Sequence, residues 1–300
     1  MAIFVVPGII LLAALLAGYY FSRLVIYPKI FPYEETYRLD IEHGRLVEDL
    51  YKPWPKEEVL IDSPFGYQLF AIYHPHPGSQ RTVVVSHGIT WSLYGSVKYA
   101  ALFYQRGYNV LLYDLRHHGR SQGPNTSFGF YEKEDLKAVV DYAFRRLGGQ
   151  GIVGTVGESL GAETTLQHAG IDPRIAFVLA DCSYSDLPDL LSFRLRKDYH
   201  LPAFPLLNLA NFFTWISAGW KFNQASPIHC IPQIMTPIFF VHGQKDTYIP
   251  PRMSMEMYEA KKLGHRKIYL APNAIHAESL ITNPVEYDQQ LGEFLSEIGL

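Results

Sequence analysis

Gly157–Glu158–Ser159–Leu160–Gly161 spells G-x-S-x-G. A serine alcohol is a weak nucleophile until a neighbouring base takes its proton. The pattern supplies a nucleophile only where a strand turns sharply into a helix, which lifts the hydroxyl clear of a sheet. Its flanks fit that context, because 152–156 is β-rich and 162–169 is helix-prone. Glycine on both sides of Ser159 keeps side chains out of a crowded turn, and the turn forces strained backbone on the serine. The helix dipole at such a position favours developing negative charge.

A serine nucleophile needs a base and an acid, in the order Ser…Asp…His for this kind of turn. Asp246 ends a buried apolar run 87 residues after Ser159, and His276 follows the next run after another 30. Both fall where the C-terminal edges of parallel strands deliver catalytic groups. His276 is expected to shuttle the proton, with Asp246 orienting the imidazole and stabilising its protonated form. Of the twelve histidines, His200, His229 and His265 lack such a strand-end position, and His43, His74 and His76 precede the sheet. His87–Gly88–Ile89–Thr90 closes an earlier strand. The N–H groups of Ile89 and Leu160 are expected to form the oxyanion site, with His87 as a structural support. Asp114, Arg116, His117 and His118 read as a loop buttress. No H-E-x-x-H, Cys/His cluster, P-loop or G-x-G-x-x-G is present, so neither metal nor cofactor is expected.

These groups need a sheet to hold them. Candidate strands lie at 59–62, 68–73, 82–86, 109–113, 152–156, 176–180, 238–241 and 267–270, with helical patterns such as 96–106 and 133–147 between them. The first two are joined by a turn signal and read as antiparallel. The later ones are apolar throughout, as parallel strands covered on both faces are. The alternation predicts a mostly parallel eight-stranded α/β sheet. It breaks over 182–235, read as a helical cap inserted after the sixth strand. Pro202, Pro205 and Asn208 argue against a second membrane span there. Phe204, Leu206, Leu207, Phe212 and Trp215 are candidates to line an apolar substrate pocket.

Residues 1–21 carry no charge and are long enough to cross about 30 Å of hydrocarbon as a helix. Arg23, Lys29 and Arg38 follow, with no Lys or Arg before. That predicts an uncleaved single-pass anchor over 1–22 with the bulk of the chain in the cytoplasm. A signal peptide would want a basic start and a better cleavage context. Residues 23–57, rich in Pro and Tyr, read as a juxtamembrane linker with one short helix near 41–50, leaving 58–300 as the main domain. Over 300 residues the chain is 48% hydrophobic and 18% charged with net charge −3, which excludes intrinsic disorder and a broadly basic nucleic-acid binder. Two cysteines exclude a disulfide scaffold and fit a reducing compartment.

HGIT (87–90), NVLLYDLRHHGRSQG (109–123), GESLGAE (157–163), HGQKDTYIP (242–250) and AIHAES (274–279) together resemble the α/β-hydrolases. The nearest likeness is to serine-aminopeptidase-like and prolyl-oligopeptidase-like single-domain members, over 58–298. A serine at the elbow departs from the haloalkane dehalogenase and epoxide hydrolase branches, which use Asp, and no β-propeller precedes the domain. The resemblance implies two-step acyl transfer on a small-molecule substrate, without a cofactor. An apolar cap and a membrane anchor point to esters or thioesters of apolar acyl groups. The alternatives are a peptidase or amidase, for which Asp186, Asp189 and Asp198 are candidate amine-binding acids, and a non-catalytic scaffold that uses its cap for protein contacts.

Overall fold

The computed structural model describes the chain from Ala2 to Leu300, with side chains from Gly8 onward. It begins with one long helix, α1 (Ala2–Ile26), followed by α2 (Tyr33–Glu42) and α3 (Glu48–Tyr51). Strands β1 (Glu57–Asp62), β2 (Gln68–His74) and β3 (Arg81–Ser86) lead to α4 (Val97–Tyr104), β4 (Asn109–Tyr113) and α5 (Glu132–Arg146). Next come β5 (Ile152–Glu158), α6 (Leu160–Ala169) and β6 (Phe177–Asp181). The insertion holds α7 (Leu187–Tyr199) and α8 (Leu206–Ala218). The chain closes with β7 (Ile238–Gly243), α9 (Arg252–Ala260), β8 (Arg266–Ala271), α10 (Ser279–Thr282) and α11 (Pro284–Glu297).

The eight strands form one sheet in the order β1-β2-β4-β3-β5-β6-β7-β8. β2 runs antiparallel to both β1 and β4, and the remaining pairings are parallel. The central strands are apolar on both faces because both faces are covered. Val83, Val85, Leu112, Leu179 and Val241 pack with α4 and α11 through Phe103 and Phe294. Their neighbours in sequence, Val84, Leu111, Val178 and Phe240, pack with α5 and α6 through Val140 and Leu166. β1 sits at the edge, and its burial falls off accordingly.

Residues 23–57 are not the linker that their prolines suggested. Tyr33, Tyr37 and Ile41 recur every fourth residue and put one face of α2 on the domain core, while Leu46 and Tyr51 are buried in it. Asp40 is buried as well, accepting the Trp91 indole N–H at 2.7 Å. Pro32 precedes the first turn of α2, so the prolines bound the short helices rather than prevent them.

The helical insertion has its own core of Tyr184, Leu187, Leu190, Ala210, Trp220 and Phe222. Ile26, from the end of α1, is buried in that core. α1 thus runs four residues past the expected boundary at 22 and lies along α8. Gly18 lets the two helices touch: a Cβ there would sit 2.4 Å from the Leu209 Cβ. One helical turn on, the buried Ser22 and Thr214 hydroxyls share a hydrogen bond of 3.0 Å. Tyr19 meets Phe213 edge to face, with ring centres 5.7 Å apart. Among the described residues only α1 has a stretch, Gly8–Ile26, long and apolar enough to cross a membrane; α8 is 13 residues long.

Gly18→Leu is expected to force α1 off α8 and to destabilise the full-length protein by about 1–3 kcal/mol. Gly8→Leu, at a position with nothing within 4 Å, is the matched control. Thermal unfolding in detergent measures both, and equal midpoints for the two variants would show that the helix contact contributes nothing.

Candidate active site

β5 delivers Ser159 and α6 starts immediately after it. The turn is as tight as the glycines imply: a Cβ on Gly157 would lie 2.1 Å from the Gly161 carbonyl oxygen, and one on Gly161 2.0 Å from that of Ser86. Ser159 itself has φ 52° and ψ −117°. Its N–H donates to Asp181 O on the neighbouring strand at 2.9 Å, which pins the strained residue to the sheet.

The loops after β7 and β8 bring Asp246 and His276 to the same edge. His276 Nδ1–H donates to Asp246 Oδ2 at 2.7 Å, and its Nε2 lies 3.1 Å from Ser159 Oγ, where it accepts the hydroxyl proton. Asp246 Oδ1 accepts the Tyr248 and Ile249 N–H groups at 2.8 and 2.9 Å. Burial pushes the Asp246 carboxyl up, but hydrogen bonds from His242 and His276 outweigh it and hold the acid well below the usual carboxylate range. His242 was missed in the sequence. It is fully buried at the end of β7, with Nε2 2.9 Å from Ile249 O and 3.2 Å from Asp246 Oδ2. Its position four residues before Asp246 in HGQKD was the available signal.

Ile89 lines the same cavity as Ser159, and Leu160 follows Ser159 as the first residue of α6. Among the described residues neither N–H donates to a backbone or side-chain acceptor. Thr90 differs: its N–H is taken by His118 Nε2 at 3.2 Å. His118 Nδ1–H donates in turn to Arg116 O at 2.8 Å, so the ring is neutral. His87 is used the same way, donating from Nδ1 to Gly88 O and accepting the Leu115 N–H at Nε2. Burial pulls His87 down to about 3 and His118 to about 4, so both support the loop without charge. Asp114 completes that support by accepting the Leu93 and Arg120 N–H groups.

A polar group that sequence reasoning overlooked lies beside the turn at Ser159. Lys98, on α4, pairs with Glu158 and donates to Ala277 O at 2.7 Å. It therefore ties the elbow to the residue next to His276. Tyr99 OH donates to Glu158 at 2.8 Å, with Asp181 3.0 Å away, and Ser279 donates to Asp181 at 2.9 Å. Burial and the Glu158 charge push the Asp181 carboxyl up. The signal was a lysine inside an apolar helix and an acid at the end of an apolar strand. Cys182 also lies close to Asp246 and His276, their ligand atoms within 4.8 Å of one another. Burial and the neighbouring acids push its thiol far up, so it stays protonated beside them.

Two cavities meet at this edge. One, of about 290 Å³, is walled by Ser159, His276, Asp40, Arg45, Trp91 and Lys98. The other, of about 330 Å³, is mainly apolar and includes Leu206 and Leu207 of α8. Ile89, Thr90 and Tyr248 belong to both. The other three residues expected in a pocket wall are not there. Phe204, just before α8, is 77% exposed, and Phe212 and Trp215 are each 48% exposed because α8 turns that face away from the domain. The three acids considered for an amine are engaged: Asp186 caps α7, Asp189 pairs with Arg252, and Asp198 pairs with Arg194.

A family model described as "alpha/beta hydrolase fold" matches residues 81–205. The chain is 35% identical to YqkD, an uncharacterized protein of Bacillus subtilis (strain 168), over 97% of its own length and 96% of that protein's. Among solved structures it resembles the Pyrococcus furiosus esterase Pf2001, with a TM-score of 0.69 and 25% identity, covering 83% of this chain and 94% of that one. Est1E from Butyrivibrio proteoclasticus, solved with ferulic acid bound, shares the fold at a TM-score of 0.62 and 18% identity, covering 79% and 99%.

Ser159→Ala is expected to abolish covalent labelling by a fluorophosphonate. Asp246→Asn, which reverses the hydrogen bond to His276 Nδ1, should slow it by about 10³–10⁴-fold. Retained labelling of Ser159→Ala would move the nucleophile elsewhere. Lys98→Met leaves Glu158 and Asp181 facing each other and is expected to cost about 3–5 kcal/mol of stability. Asp181 is held above its unfolded value, so its contribution to stability declines as pH rises. Without Lys98 that decline steepens, and the loss should be larger at pH 8 than at pH 5 in parallel thermal melts.

Proposed function

This chain belongs to the α/β-hydrolase family, and from that membership and the geometry of its site we propose that it is a membrane-anchored serine hydrolase of apolar carboxylic esters or thioesters. One observation carries the reading: Asp246, His276 and Ser159 form an unbroken hydrogen-bonded run, and the cavity walled by Ser159 and His276 shares Ile89, Thr90 and Tyr248 with a second, mainly apolar cavity.

In the proposed reaction Ser159 Oγ attacks the substrate carbonyl while His276 Nε2 takes its proton. Asp246, held ionised, stabilises the imidazolium. The oxyanion lies between the Ile89 and Leu160 N–H groups, each such donor contributing about 3 kcal/mol to the transition state. The tetrahedral intermediate collapses as His276 protonates the leaving alcohol or thiol. Water, activated by the same imidazole, then attacks the acyl-enzyme and releases the acid. The residues of this chain supply every proton transfer in that cycle.

Esters are favoured over peptides because Asp186, Asp189 and Asp198 are already engaged by backbone or arginine partners. A peptide's free amine would find no spare acid among those three. The length and apolar character of Gly8–Ile26 support a membrane span, and Arg23, Lys29 and Arg38 after most of it support a cytoplasmic catalytic domain.

The test uses the full chain in detergent, supplied with p-nitrophenyl esters of increasing chain length and with an aminoacyl p-nitroanilide. Ester turnover that disappears in Ser159→Ala, with the anilide at least about tenfold slower in kcat/KM, is the expected result. Faster turnover of the anilide would replace the esterase reading with an aminopeptidase, and no turnover of either would remove both.

A further inference from the structure

The apolar cavity beside the site is closed by two walls. One is the insertion, through Leu191, Leu195, Leu206 and Leu207. The other is α1, the membrane-type helix, through Phe21, Leu24 and Val25. α1 is held in that position by the Gly18 crossing, the Ser22–Thr214 hydrogen bond and the burial of Ile26 in the insertion's core. The chain beyond it is tied to the catalytic loops as well. Thr126 N–H donates to Ile26 O at 3.2 Å, and Phe31 N–H donates to Thr90 O at 2.9 Å.

We infer that the last two turns of α1 form a wall of the acyl-chain pocket, so that the helix is a specificity determinant and not only an anchor. This rests on the hydrolase reading above and adds the substrate's placement to it. Ile89 carries a candidate oxyanion N–H and also contributes to both cavities. A carbonyl seated there has its two arms divided. The acyl arm enters the apolar cavity between α1 and α8. The leaving group enters the cavity walled by Arg45, Lys98 and Asp40. The apolar cavity holds one ion pair, Arg194–Asp198, whose charges answer each other at 2.6 Å, so it presents an uncharged chain with little to desolvate. The outer faces of α1 and α8 are exposed and apolar together, through Leu12, Leu16, Trp215 and Ile216. The two helices that wall the apolar cavity therefore also carry the surface that a bilayer would cover.

The experiment compares full-length wild type, Leu24→Trp, Leu24→Ala and Leu16→Trp in one detergent. Fluorophosphonate labelling and thermal midpoint report an intact site and fold. The readout is the ratio of kcat/KM for p-nitrophenyl decanoate to that for p-nitrophenyl acetate. Leu24→Trp fills the cavity and should lower the ratio by about tenfold or more. Leu24→Ala enlarges it and should move the preferred chain length upward. Leu16→Trp, on the exposed face of the same helix, should leave the ratio as in wild type. Should Leu24→Trp fail to fold, the chain-length shift in Leu24→Ala decides. An unchanged profile in the folded Leu24 variants, or an equal fall in Leu16→Trp, would overturn the inference while the hydrolase reading stands. A wild type that is neither labelled nor active on any ester would instead remove the hydrolase reading, and this inference with it.

Discussion

The turn at Ser159 is the constraint on which the rest depends. It places a non-glycine residue at positive φ between two glycines whose missing side chains are replaced by backbone carbonyls barely 2 Å from where a Cβ would lie. Such a conformation costs about 1–3 kcal/mol and persists only where the surroundings over-determine it. Here they do. β5 is flanked by β3 and β6, Ser159 N–H is bonded to Asp181, and α6 begins at Leu160. The sheet's stability is in effect spent on holding one hydroxyl exposed to an imidazole at 3.1 Å.

That strained turn is stiffened by charge on its buried side. Glu158 faces Asp181 across Tyr99, two acids that repel unless a cation stands between them. Lys98 supplies it, and the same ammonium holds Ala277 O beside His276. A buried pair of this kind contributes little net stability compared with an apolar replacement, while loss of one partner is costly. Its value lies in geometry, since one side chain sets the spacing between the strand that carries the serine and the loop that carries the histidine. His242 acts similarly on Asp246, adding a second imidazole to the acid that orients the first.

How far the sequence revealed this follows from the range of the forces involved. The parallel strands were legible because burial on both faces leaves an uninterrupted apolar run, and Val83, Val84 and Val85 divide between the two core layers as that pattern requires. That Ser159, Asp246 and His276 would meet was legible because the elbow and the strand ends constrain their spacing. Residues 23–57 were misread because prolines suggest a linker in one dimension, whereas the four-residue spacing of Tyr33, Tyr37 and Ile41 has meaning only against a surface. Phe212 and Trp215 were misplaced for the same reason: an aromatic stripe records that a helix has an apolar face, not which medium that face meets. Lys98 and His242 stayed hidden because their partners are distant in sequence or lie across a turn that composition does not encode.

The exposed aromatics of α8 and the length of α1 make one argument when taken together. A helix with apolar residues around its whole circumference suits lipid, and a cap helix with a bare apolar face suits a soluble domain poorly. α1 covers part of α8, through Gly18 and Tyr19, and both leave their outer faces uncovered. The uncovered surface is therefore shared between the helix that is long and apolar enough to cross a bilayer and the helical insertion. Positioning such a pair in a membrane interface buries both faces at once, and any tilt of α1 is transmitted to α8 through contacts too close to slip. With α1 in a bilayer, as proposed, the setting of the insertion, and with it the width of the apolar cavity, would be a property of the protein and the membrane jointly.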